Sequence, residues 1–211
     1  MVESTENVGE VVDNPNRFAG RGNNIILMGI MGAGKSTIGW HLARMLGFGF
    51  VDVDQSIETQ AGKSIEKIFE QEGESHFRNL ETSIIHGFAG IRSHVIAVGG
   101  GAVLDDENWK TLQAMGPCVW LDTPAVEIAR RFVMKPDEIR SRPLIADIGN
   151  AASKDERFRM LQERIQQIVG QRAKRYGEAD FSMSISYSTP ESAAGMIKTT
   201  LQKNGAWVGR T

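Results

Sequence analysis

The sequence predicts an α/β protein, a parallel sheet covered by helices on both faces. Three observations carry that prediction. Short apolar runs alternate with stretches of helical periodicity along most of the chain. Two of the helical stretches open on Thr-Pro, at Thr123-Pro124 and Thr189-Pro190, which pairs an N-cap with a first helical residue. The 211 residues, 41% hydrophobic and 24% charged, suffice for one buried core without staples.

Taken in order, Asn24–Met28 reads as the first strand and Gly34 to Leu46 as the helix after it, with Gly47 suited to its C-terminal cap. Phe48–Val53 is the second strand. Helical stretches fill Gln55 to Gly90, broken at Gly62 and Gly73. His94–Val98 and Pro117–Leu121 are the third and fourth strands. Thr123-Pro124 opens a helix to about Phe132. From Phe132 to Ser153 the periodicity fails, and Pro136, Pro143 and Gly149 mark a long loop of the kind that serves as a lid. A long helix from Asp155 to Tyr176, a fifth strand at Phe181–Ile185 and a last helix from Thr189-Pro190 to Lys203 complete the pattern. The domain reading is a flexible acidic extension (1–22), a single domain (23–203, lid about 132–153) and a loose tail (204–211).

Composition excludes several classes. A net charge of -2 offers no global attraction to nucleic acid or an anionic membrane. No window approaches about 20 consecutive apolar residues, so no membrane partner is expected. The first 22 residues lack the apolar core of a secretory signal and the basic character of a transit peptide. The single cysteine, Cys118, excludes an intrachain disulfide and a cysteine-based zinc site. It is consistent with a cytoplasmic location.

The chemistry begins at Gly29 to Ser36, G-I-M-G-A-G-K-S, between a strand and a helix. This is the phosphate-loop pattern in its required setting. Glycines let backbone N–H groups curl around an anion, and the new helix points its N-terminus at the same anion. Lys35 can reach the outer phosphates, and the Ser36 hydroxyl can ligate Mg²⁺. A magnesium nucleoside triphosphate is therefore the expected ligand.

Asp52-Val53-Asp54 ends the second strand, where open α/β sheets bind ligands. Strand alternation puts both carboxylates on one face. One can anchor Mg²⁺ through water and the other can accept a proton from an attacking hydroxyl, or the pair caps the following helix. In Phe77-Arg78-Asn79-Leu80-Glu81, Arg78 and Glu81 share a helix face, so Glu81 can fix a guanidinium suited to a carboxylate. Gly99-Gly100-Gly101 follows the third strand and lets a ligand touch backbone. Arg142, in Arg140-Ser141-Arg142-Pro143-Leu144, lies in the lid and can swing onto a transferring phosphoryl group. Arg172 to Arg175 end the long helix, where cations also suit the helix dipole.

In this order the motifs resemble the shikimate kinase family: GAGKST at Gly32–Thr37, DVD at Asp52–Asp54, FRxxE at Phe77–Glu81, GGG at Gly99–Gly101, RPL at Arg142–Leu144 and RxxxY at Arg172–Tyr176. The resemblance spans roughly residues 23 to 201. It implies a three-layer α/β/α phosphate-loop kinase fold with a five-stranded parallel sheet, a lid and a mobile helical region for the substrate. It implies transfer of the ATP γ-phosphoryl group to the 3-hydroxyl of shikimate, a step towards chorismate and the aromatic amino acids, with Mg²⁺ as cofactor.

Carried over by position, Asp54, Lys35 and Arg142 are the catalytic residues. Gly32, Ala33, Gly34, Lys35, Ser36, Thr37, Arg131 and Arg142 bind ATP, and Pro190 lies near the adenine. Asp54, Arg78, Gly100 and Arg172 bind shikimate, and Glu81 braces Arg78. Ser36 and Asp52 hold the metal. A monomer is expected, with shikimate and ATP as its partners. The segment from Arg131 to Arg142 is longer than in compact family members, and Ser186–Thr189 lacks the usual basic residue. Two other readings are a kinase for another hydroxy acid such as gluconate and a non-catalytic shikimate-sensing module. FRxxE with GGG and RxxxY speaks against the first. An intact catalytic set, with no room for a DNA-reading domain in the first 22 residues, speaks against the second.

Overall fold

The computed structural model describes residues 18–186 and 188–206. Five strands, β1 (Ile25–Met28), β2 (Gly49–Asp52), β3 (His94–Ala97), β4 (Cys118–Asp122) and β5 (Phe181–Ser184), form one sheet in the order β2-β3-β1-β4-β5. Every pairing is parallel. A parallel sheet is covered on both faces, and β1 shows it residue by residue. Ile25 and Leu27 belong to one core cluster, Ile26 and Met28 to the other.

The helices are α1 (Lys35–Leu46), α2 (Val53–Ala61), α3 (Ile65–Gly87), α4 (Asp106–Met115), α5 (Ala125–Val133), α6 (Pro136–Arg140), α7 (Lys154–Tyr176) and α8 (Pro190–Lys203). Both predicted breaks between residues 55 and 90 are present. Gly62 caps α2 in the left-handed conformation, and Gly73 kinks α3. Gly47 caps α1 as expected, and Thr189 caps α8 by accepting from the Ser192 N–H.

Four expectations change. Helix α4 is absent from the sequence reading, although Asp105 caps it with bonds from Glu107 and Asn108. Thr123 does not cap α5; its hydroxyl instead donates to the Ala33 carbonyl, 3.3 Å away, and ties the end of β4 to the phosphate loop. The lid segment is not a structureless loop. Pro136 starts α6, a 3₁₀ turn covers Ala146–Asn150, and Ile139, Ile145 and Ile148 are fully buried. Three isoleucines widely spaced along a polar stretch escape a search for continuous periodicity.

The fourth concerns the chain ends. Within the expected flexible extension, Phe18 stacks on Phe181. Arg21 donates to the carbonyls of Gln113 and Gly116 and pairs with Asp180 at 2.9 Å. Asp180 also accepts from the Cys118 N–H. Residues 18–22 therefore fasten α4, β4 and β5 together. In the expected tail, the Ala206 N–H bonds back to Leu201. The rest of both segments, residues 1–17 and 207–211, lies outside the described residues.

Strand order places the site. β1 lies between β3 and β4, and β2 lies beyond β3. The loops leaving β1, β2 and β3 thus emerge side by side at the carboxyl end of the sheet, the edge where such sheets bind ligands.

Candidate active site

One cleft of about 1080 Å³ opens at this edge. It is lined by the phosphate loop, both aspartates, Arg78, Glu81, the three glycines, the lid residues Ser141 to Leu144, and Arg172. Its size suits a nucleotide with a second small substrate.

The phosphate loop leaves β1 and closes into α1 through Gly34, a left-handed N-cap with φ 96°. Gly32 has φ +75°, and a side chain there would begin 2.6 Å from the Phe132 ring. Conformation and space both require glycine at this point. Lys35 Nζ donates to the carbonyls of Gly29 and Ile30 at 3.0 and 3.1 Å. Burial pushes its pKa below the usual lysine value, and the charges of Asp54 and Asp52 work against that shift.

The aspartates sit differently from the strand-alternation prediction. β2 ends at Asp52, and Val53 already starts α2, so Asp54 stands in the first helical turn. The structure shows the capping reading of Asp52. Its Oδ1 accepts from the N–H groups of Asp54 and Gln55, which caps the helix. Its Oδ2 accepts from the Ser36 hydroxyl at 2.5 Å. Burial holds the Asp54 carboxyl above the usual aspartate range, with Lys35 opposing.

The Ser36–Asp52 pair tests the fit of Mg²⁺. A hydroxyl and a carboxylate oxygen in contact, beside a phosphate loop, are hard oxygen donors. Mg²⁺ characteristically takes one or two protein oxygens and completes its shell with water and phosphate. The residues fit the ion.

The opposite wall is built on the triglycine. A side chain at Gly99 would begin 2.8 Å from Glu81 Oε1 and 2.9 Å from Asp54 Oδ1. At Gly100 it would meet Arg172 Nη1 at 2.8 Å, and at Gly101 both terminal nitrogens of Arg78 at 2.8 Å. Each glycine thus leaves room for a different charged group. Arg78 pairs with Glu81 at 2.7 Å and with the exposed Glu74 at 3.0 Å. The two partners differ in kind: Glu81 is 1% exposed, so its hold on Arg78 is not diluted by solvent. Burial raises the Glu81 pKa, and Arg78 opposes the rise. Its Oε1 has no hydrogen-bond partner within the protein. Arg172 is 8% exposed, a cation built into the wall and not a solvated end of α7.

Arg142 lies over the Phe132 ring at 5.2 Å, with a buried Nε that lacks a protein partner. Arg131 donates to the Gly32 carbonyl at 2.8 Å. Arg131 and Pro190 line the cleft together with Ile185 and Ser188, while Tyr187 lies outside the described residues.

The cleft therefore gathers every residue to which the family resemblance assigns a catalytic, binding or bracing role, except Ala33, which is buried beneath the loop. Sequence reasoning missed the apolar floor of Phe132, the Thr123 tie to Ala33 and the place of Tyr176 against Gly100. Only the Tyr176 contact had a signal, the RxxxY spacing, and that spacing suggested no job for the phenol.

A phosphate loop, a hydroxyl and carboxylate that fit Mg²⁺, and a wall carrying two arginines in one cleft have the makings of a phosphate-loop kinase. Comparison with known proteins narrows the class. The shikimate kinase family profile matches residues 31–202. Among curated relatives, the shikimate kinase of Persephonella marina is 39% identical over 167 residues, 79% of this chain and 92% of its own length. That of Chlorobium limicola is 40% identical over 160 residues, 75% of this chain and 76% of its own. Among solved structures, shikimate kinase from Acinetobacter baumannii in complex with shikimate superposes with a TM-score of 0.75 at 32% identity, covering 90% of this chain and 98% of that one. The Aquifex aeolicus shikimate kinase gives 0.64 at 30% identity over 86% and 97%. The chain belongs to the shikimate kinase family and is an ATP-dependent kinase. No helix among the described residues is long and apolar enough to cross a membrane.

Proposed function

We propose that this protein transfers the γ-phosphoryl group of ATP to the 3-hydroxyl of shikimate, giving shikimate 3-phosphate and ADP. The observation that carries the reading is the two-sided cleft. Asp54 stands between Lys35 of the phosphate loop and a wall in which Arg78 and Arg172 both face the triglycine backbone. Two buried or braced guanidiniums explain how a chain of net charge -2 holds an acid.

The roles follow from placement. Arg78 and Arg172 grip the substrate carboxylate, Gly100 presents backbone to the ring, and Glu81 fixes Arg78. With the carboxylate anchored there, a ring hydroxyl is held beside Asp54, which orients it and takes its proton as the oxygen attacks phosphorus. The backbone from Gly32 to Thr37, with the N-terminus of α1, cradles the phosphates. Lys35 and Arg142 screen the charge on the phosphoryl group in transit. Ser36 and Asp52 would hold Mg²⁺, which neutralises phosphate charge when bound. Arg131 and Pro190 flank the adenine. Phe132 and the buried isoleucines of the lid segment keep that part of the cleft dry, which protects the phosphoryl group from water.

Every residue given a role lies on one chain, which supports a monomeric functional unit, and the single cysteine, Cys118, is in keeping with a cytoplasmic location. A two-arginine clamp accepts any carboxylate, so what disfavours gluconate is the FRxxE, GGG and RxxxY motifs taken together and not the arginines themselves. Lys35, Ser36, Asp52, Asp54 and Arg142 together disfavour a sensor without turnover. The test is the pair of variants Arg78→Ala and Arg172→Ala. Each raises KM for shikimate by tenfold or more, at about 1.5–3 kcal/mol for a charge-assisted bond, and leaves KM for ATP near wild type. Unchanged shikimate kinetics in both would reject the clamp.

A further inference from the structure

Tyr176 is a buried polar group that the proposed reaction leaves without work. It is fully buried, its ring packs on Trp120 at 5.5 Å, and its hydroxyl donates to the Gly100 carbonyl at 3.0 Å. Arg172 stands one turn earlier on α7, on the same face. Its guanidinium and the phenol converge on one point. A side chain begun at Gly100 would meet Arg172 Nη1 at 2.8 Å and the Tyr176 oxygen at 3.1 Å. Burial raises the phenol pKa, while the nearby Arg172 guanidinium pulls the other way. The phenol thus keeps its proton at assay pH and has one donor for Gly100 and lone pairs for Arg172.

Each neighbour needs this support. The peptide at Gly100 belongs to a loop whose glycines supply no side chains to hold it. Among the described residues Arg172 has no paired carboxylate, in contrast to Arg78 with its buried Glu81. α7 is tied to the lid segment through Arg164, which donates to the Leu144 carbonyl and Asp147, and to α4 through Arg175, which pairs with Asp106. Its last turn meets the triglycine through this phenol.

We infer that Tyr176 is a positioning residue for substrate recognition: its hydroxyl joins the Gly100 peptide to the Arg172 guanidinium and holds both in register for the substrate carboxylate. The role rests on the shikimate reading above. It is a role in binding, remote from the transferring phosphoryl group, so its loss falls on KM and not on kcat.

The test is Tyr176→Phe, which removes one oxygen and keeps the ring packed on Trp120. Steady-state ADP release is measured for the wild type, Tyr176→Phe, Arg172→Ala and the double variant, with shikimate and with shikimate methyl ester. The expected result is a rise of about fivefold in KM for shikimate, the worth of one hydrogen bond. kcat and KM for ATP stay within about twofold of wild type. The rise is absent with the uncharged ester and absent when the phenol is removed from Arg172→Ala, because the pair acts as a unit. The ratio of the shikimate and ester KM values is read within one preparation, so it reports even if the variant is partly destabilised. An unchanged KM, an equal rise with the ester, or a rise that multiplies with that of Arg172→Ala would overturn the role. Absence of shikimate-dependent turnover in the wild type would overturn the functional reading itself, a separate and distinguishable failure.

Discussion

Gly101→Ala puts one methyl group against Arg78, the proposed carboxylate clamp. The new carbon would begin 2.8 Å from both terminal nitrogens of Arg78, where ordinary contact starts at 3.4 Å. Arg78 must withdraw by about 0.6 Å, a displacement of the size that spoils a bidentate grip. It cannot simply swing away, because Glu81 holds it at 2.7 Å from a buried position. Weakening one charge-assisted bond to the substrate costs about 1.5 kcal/mol, or roughly tenfold in KM for shikimate. The clash is with the end of a side chain and not with backbone, so folding is little affected. The assay is coupled ADP release with shikimate varied at saturating Mg-ATP, alongside a thermal melt. An unchanged shikimate KM would refute the reasoning, and so would an equal rise in KM for ATP.

Other perturbations separate the parts of the site. Asp54→Asn lowers kcat by about a hundredfold or more, the usual worth of a positioned base, and leaves ATP affinity nearly intact; wild-type-like turnover would reject the role. The same variant melts higher than wild type at pH 7. The folded-state pKa of Asp54 is raised by burial, so the charged carboxylate costs stability above that pKa. The cost fades as pH falls through the folded pKa towards 3.8 and is gone below it. A melting gap that widens on acidification would contradict the assignment. Lys35→Met reduces phosphoryl transfer, read as single-turnover ADP formation, and normal rates would reject its contact with the transferring group. Arg21→Ala removes bonds to Gln113, Gly116 and Asp180 and lowers stability by about 2 kcal/mol in denaturant titration, with shikimate and ATP kinetics unchanged.

What was legible in the sequence tracks how local the signal is. Helix α1 and its loop were readable because Gly32, Gly34, Lys35 and Gly47 act within one turn of their own positions. Thr189 and Pro190 announced α8 for the same reason. The triglycine announced a close approach but not its visitors. That Gly99 faces Glu81 and Asp54, Gly100 faces Arg172, and Gly101 faces Arg78 depends on β3 lying between β1 and β2. Thr123 carried a helix-start signal, yet the Ala33 carbonyl claimed its hydroxyl; a tertiary partner outbid a local one. Strand alternation puts Asp52 and Asp54 on one face, but capping by Asp52 ends the strand one residue sooner and starts the helix at Val53, two residues sooner than the sequence predicts. The acidic start of the chain concealed Phe18 and Arg21, whose partners lie about 90 to 160 residues away in sequence.

The central claim is that the two halves of this cleft work on one phosphoryl group, with Mg-ATP on the phosphate-loop side and shikimate on the arginine side. The most direct measurement is ADP release from Mg-ATP with shikimate, gluconate, AMP or no acceptor, with the product identified by mass. Fast release with shikimate alone, together with a product heavier by one phosphoryl group, is the predicted result. Protein that is folded and binds ATP, yet releases no ADP with shikimate, would contradict the account.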